Sequence, residues 1–100
     1  TGWTPLHYAA ENGNLTLCQM FAKVLEDKNP ESHFGWTPLH TAARCGHLAV
    51  FKFIFKTIKY KEPKTSDGRT PLKVAIQFEH YDICQFIKDS RSSKDSENQL

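Results

Sequence analysis

Residues 2–15 read GWTPLHYAAENGNL and residues 35–48 read GWTPLHTAARCGHL. A third, altered copy, GRTPLKVAIQFEHY, fills residues 68–81. Gly2, Gly35 and Gly68 lie 33 residues apart, as do Pro5, Pro38 and Pro71 and also Ala9, Ala42 and Ala75. Residues 1–33 and 34–66 are identical at 13 of 33 positions. A fixed period of this length is the signature of stacked structural repeats, in which each unit completes its neighbour's core.

Each copy encodes two helices. A threonine hydroxyl accepts an otherwise unpaired N–H at a helix start, so Thr4, Thr37 and Thr70 are N-caps. The proline that follows suits the first helical turn, where its missing N–H costs nothing. The predicted first helices are Pro5–Asn12, Pro38–Cys45 and Pro71–Phe78. Gly13 and Gly46 end the first two in a left-handed turn that glycine adopts most cheaply. Helical spacing of Leu17, Phe21 and Leu25, of Val50, Phe51 and Ile54, and of Ile83, Cys84 and Ile87 predicts second helices over Thr16–Leu25, Ala49–Ile58 and Asp82–Lys88. The connectors hold Pro30 and Pro63 with Gly and polar residues, and predict turns pairing as short hairpins. No copy can bury its apolar faces alone.

One hundred residues with 39% apolar and 24% charged side chains describe one ordinary globular unit. The apolar runs are too short for a transmembrane segment. Cys18, Cys45 and Cys84 lie far apart and are odd in number, which predicts reduced thiols and a cytoplasmic or nuclear setting. Net charge is +2 but uneven. Residues 35–67 carry six basic and two acidic side chains, residues 1–34 two and four, and residues 68–100 five of each.

The run T-P-L-H-x-A-A followed by Gly resembles the ankyrin repeat, in Thr4-Pro5-Leu6-His7 with Ala9, Ala10, Gly13 and Leu15 and in Thr37-Pro38-Leu39-His40 with Ala42, Ala43, Gly46, His47 and Leu48. The resemblance covers residues 1–89. It implies an all-α, ankyrin-type helical solenoid of three helix-turn-helix repeats with short β-hairpin or turn connectors. It also implies that the family's motif histidine bonds between turns and repeats, and that a concave side of hairpins and first helices binds another protein, as in scaffolds and adaptors. The expected units are residues 1–34, 35–67 and a degenerate 68–89, with a disordered polar tail over 90–100. Copy three replaces the motif His by Lys73, the second Ala by Ile76 and the turn Gly by Glu79. With Gln77, Gln85 and Lys88 it is expected to cap the stack, its turn changed in shape or loosened. Copy one is as apolar as an internal repeat, which predicts further repeats ahead of Thr1.

The expected partner-binding strip is Trp3, Tyr8, Glu11, Asn12, His33, Phe34, Trp36, Thr41, Arg44 and Arg69, because Trp, Tyr and Arg dominate protein interfaces. Tyr8 and Thr41 are read as the exposed eighth position of the first helix. Phe34 stands where the family usually has Asp, as Asp67 does in copy three. Lys52, Lys56 and Lys59 share one helix face with Lys61 and Lys64 just beyond. That basic stripe supports an alternative, binding of an anionic ligand or membrane surface; a structural spacer in a longer array is another. The five His and three Cys lack metal-ligand spacing, so His7 and His40 are read as backbone-bonded, and neither metal nor cofactor is expected. Cys45 and His47 have no orienting acid and no phosphate loop is present, so no catalysis is expected. Nucleic acid is not expected at a pI of about 8.5, and a monomer is assumed.

Overall fold

A computed structural model describes residues 2–98 of the chain, with side chains through Arg91. Six helices follow in order: α1 (Pro5–Glu11), α2 (Leu15–Val24), α3 (Pro38–Cys45), α4 (Leu48–Thr57), α5 (Pro71–Gln77) and α6 (Tyr81–Asn98). They form three pairs of consecutive helices, α1 with α2, α3 with α4 and α5 with α6. α1 packs on α3 and α3 on α5 in one layer; α2 packs on α4 and α4 on α6 in the other.

Small residues set the first layer. Ala9, Ala10, Ala42, Ala43 and Ala75 are buried, with Leu6, Leu39 and Val74 between them. The second layer is larger and aromatic. Phe51, Phe55 and Phe86 meet with ring centroids 5.3–6.0 Å apart, and Ile54, Ile83 and Ile87 close around them.

The helix starts follow the sequence. Thr37 Oγ1 accepts from the N–H of His40 at 3.2 Å, and Thr70 Oγ1 from that of Lys73 at 3.2 Å. Gly13 and Gly46 end α1 and α3 at φ +67° and +76°, in the left-handed region. Glu79 holds the same conformation at φ 62°, so the third turn keeps its shape despite losing glycine. The second helices of repeats 1 and 2 are closed by lysine. The Lys28 ammonium donates to the carbonyls of Ala22 and Leu25, and Lys61, one period on, to those of Phe55 and Ile58. Cations complement the negative end of a helix.

Of the expected β-hairpin or turn connectors, the structure has turns, and the tail differs from expectation. Among the described residues no strand forms. Each connector closes a single tight turn, with Ser32 N–H donating to Trp36 O at 2.7 Å and Thr65 N–H to Arg69 O at 3.0 Å, and Ser66 N–H donating to Phe34 O at 2.8 Å joins the tips. The tail, predicted disordered from Ser90, instead continues α6 through Asn98; it contains no Gly or Pro to stop a helix. Residues 99 and 100 lie outside the described residues.

Candidate functional site

Four imidazoles tie each repeat to the next. His7 Nδ1 accepts the N–H of Thr4 at 3.1 Å, which leaves Nε2 to carry the proton and donate to Trp36 O at 2.8 Å. His40 repeats the arrangement, accepting from Thr37 N–H at 3.2 Å and donating to Arg69 O at 2.9 Å. Burial lowers the pKa of both rings, offset in part by the carbonyl each one meets. A second pair of histidines, in the turns between the paired helices of repeats 2 and 3, reaches backward. His47 Nε2 bonds Glu11 O at 2.9 Å and His80 Nε2 bonds Arg44 O at 2.8 Å. These rings lie against Gly13 and Gly46, where an added Cβ would fall 2.7 Å and 2.6 Å from them.

Above this frame runs a groove of about 640 Å³. Trp3, His33, Phe34, Trp36, Arg44 and Arg69 line it, six of the ten expected strip residues, joined by Ser66, Asp67 and Phe78. Trp3 stacks on His7 and Trp36 on His40, with centroids 5.4 Å and 5.2 Å apart. The Arg44 guanidinium lies between the two indoles, 6.0 Å from Trp3 and 5.7 Å from Trp36. Arg69 lies 5.3 Å from Trp36. Both arginines are also paired, Arg44 with Glu11 and Arg69 with Asp67, each at 3.2 Å. The Thr65 hydroxyl, then Arg69, hold the Asp67 carboxyl below its usual range. Arg44 Nε is buried and makes no hydrogen bond. Phe34 stands 80% exposed at the tip of its turn, at φ 66°.

The remaining strip residues divide. Tyr8 meets the Trp3 ring edge-on at 5.1 Å and is half exposed. Glu11 reaches the groove through Arg44. Asn12 caps α1 and is exposed. Thr41 is not on the surface: it is fully buried, its hydroxyl accepting from Trp36 Nε1 at 2.9 Å and donating to Thr37 O at 3.2 Å. This position of the repeat is covered wherever a repeat lies before it, and Val74 in repeat 3 is buried likewise. Thr41 therefore positions Trp36 and touches no partner. Ser66, from the connector at the end of repeat 2, and Phe78, from repeat 3, are absent from the expected strip and also line the groove.

The lysine stripe is not one surface. Lys52 and Lys56 are exposed on α4, with Lys52 5.6 Å from the Phe86 ring. Lys59 and Lys64 line a recess between connectors together with Asp27 and Glu31, so both signs of charge meet there. Lys61 is the helix cap described above. Among the described residues no group of three or more His, Cys, Asp or Glu could hold a metal ion, and no helix is long and apolar enough to cross a membrane. All three cysteines are free thiols. Burial pushes Cys18 up to about 11, so it stays protonated at neutral pH.

The family model for ankyrin repeats, in three copies, matches residues 6–98. No curated protein matches the chain.

Proposed function

Because this chain belongs to the ankyrin repeat family, whose repeats are in general protein–protein interaction modules and typically non-catalytic, we propose that its concave groove binds a partner protein without chemistry of its own. The observation that carries this reading is the convergence of Trp3, Phe34, Trp36, Arg44, Arg69 and Phe78 on one groove. Rigid stacking on the buried histidines holds the indoles in place before a partner arrives, which lowers the entropy cost of association. Phe34 places a large apolar ring in solvent within a left-handed turn. Its own fold gains nothing from that, whereas a partner covering the ring would. The partner-contacting set is Trp3, Tyr8, Glu11, Asn12, His33, Phe34, Trp36, Arg44 and Arg69, with Ser66 and Phe78 added. The three free thiols support a cytoplasmic or nuclear setting. The division of the lysines among a helix cap, a recess of mixed charge and the α4 face weighs against an anionic surface as ligand.

Removing Trp36 would disturb His40 and Thr41, so the test uses Phe34→Gly and Arg69→Ala. Glycine removes the ring and accepts the left-handed backbone. With the full chain as bait, Phe34→Gly is expected to unfold at the wild-type denaturant midpoint or slightly above it. It is also expected to lose a wild-type-captured partner about tenfold or more, while Lys52→Glu with Lys56→Glu retains it. Retention by both groove variants, or loss with the lysine pair alone, overturns the reading.

A further inference from the structure

We propose, on the reading that the groove binds a partner protein, that the partner inserts an extended segment carrying a carboxylate among apolar side chains. The groove holds about 640 Å³, room for a few side chains and not for the flat face of a folded domain. A cationic side chain is excluded first. Indole faces are the usual seats for a guanidinium or ammonium, and this chain fills them itself. Arg44 lies 6.0 Å from Trp3 and 5.7 Å from Trp36, and Arg69 lies 5.3 Å from Trp36. His7 and His40 stack on the same two indoles. What the groove still offers is the edges of the two guanidiniums.

Those edges are under-satisfied. Among the described residues, Arg44 donates from Nη2 to Glu11 alone, and its Nε is buried without an acceptor. Arg69 donates from Nε to Asp67 and from Nη1 to Gln77, each at 3.3 Å. Arg44 Nη1 and Arg69 Nη2 therefore keep donors for an incoming group. A charged acceptor gains most from such donors where water is already partly excluded. That acceptor is a monoanion. Glu11 and Asp67 each stand 3.2 Å from one arginine, so both guanidiniums are half neutralised, and a phosphate dianion would meet two carboxylates. The apolar part of the segment follows from Phe34 and Phe78, which line the same groove at 80% and 43% exposed. Covering them removes apolar surface from water.

The test pans random peptides displayed on phage against the full chain, then titrates the enriched sequences as labelled synthetic peptides by fluorescence anisotropy. They are expected to carry Asp or Glu beside aromatic or aliphatic residues. Changing that acid to its amide is expected to weaken binding about tenfold or more, and Arg69→Glu to do the same. A peptide with Lys in place of the acid should bind Arg69→Glu and not the wild-type chain. Should Arg69→Glu, which sets a second carboxylate beside Asp67, fail to fold, Arg69→Gln replaces it, and in that variant the amide peptide should lose less than in wild type. Phosphoserine at the acid's place should bind more weakly than the acid; tighter binding overturns the monoanion. Peptides lost with Phe34→Gly but indifferent to the amide change and to Arg69 overturn the carboxylate and leave the groove reading standing. Peptides indifferent to Phe34→Gly as well overturn both. Absence of any enriched sequence overturns the inserted segment, while a captured partner lost with Phe34→Gly still supports the groove.

Discussion

The junction of repeats 2 and 3 and the outer face of repeat 3 occupy the same register positions with different residues. At the junction stand His40, Ala43 and Gly46; on the outer face stand Lys73, Ile76 and Glu79. His40 is buried and reaches Arg69 O, Ala43 is fully buried, and Gly46 lies under the His80 ring. On the outer face, Lys73 and Ile76 are exposed and Glu79 holds the left-handed turn. The difference locates the reason for the motif. Its histidine, small residue and turn glycine serve the layer that follows more than their own repeat. Glu79 shows that the turn itself does not demand glycine; Gly46 is demanded by the imidazole above it.

The largest test of that contrast is Gly46→Ala. Its Cβ would fall 2.6 Å from the His80 ring at a positive φ, so about 2–4 kcal/mol of stability is expected to be lost in urea unfolding. Combining it with His80→Ala removes the clash, and the double variant should lose less than the sum of the singles. An additive result would mean that backbone strain alone explains Gly46.

His40→Ala comes next. It orphans Thr37 N–H and leaves Arg69 O with only its bond from Thr65 N–H, with an expected loss of about 1–3 kcal/mol. Lys73→His, which restores the motif where no layer follows, should shift stability by less than about 0.5 kcal/mol. A large gain from Lys73→His would erase the distinction between the two faces.

Acid separates them further. Burial holds His7 and His40 below the ordinary imidazole value of 6.5. The unfolded chain therefore binds more protons in this range. The stabilisation is present above pH 6.5 and is lost as pH falls through that value toward the folded pKa. Protonation of Nδ1 would also remove the acceptor for the threonine N–H. Thermal midpoints should decline on acidification below about 6.5, and the decline should be shallower in His40→Ala. Glu79→Gly carries the smallest effect, a gain between a few tenths and about 1 kcal/mol from relief of the left-handed residue. A loss on that substitution would mean that the Glu79 side chain supports the turn.

The repeat period, the three helix starts and the stop at Gly13 and Gly46 follow from local chemistry. A capping threonine, a proline at the first turn and a glycine at a left-handed bend each act within a few residues of themselves, and repetition of the phrase implies stacking. The six groove residues were legible because position within one unit predicts position within the next. Exposure was not legible. Tyr8, Thr41 and Val74 share one register position, yet Tyr8 is half exposed and the other two are fully buried, because coverage depends on whether a layer lies before them. Lys61 looked like a surface charge until folding brought its ammonium to the carbonyl end of α4. His47 and His80 sit in turns by sequence, and only the tertiary stack brings each ring within 3 Å of a carbonyl 36 residues away. Local propensity named the units and their order; contacts across layers, set by distance in space, decided which side chains hold the stack and which meet solvent.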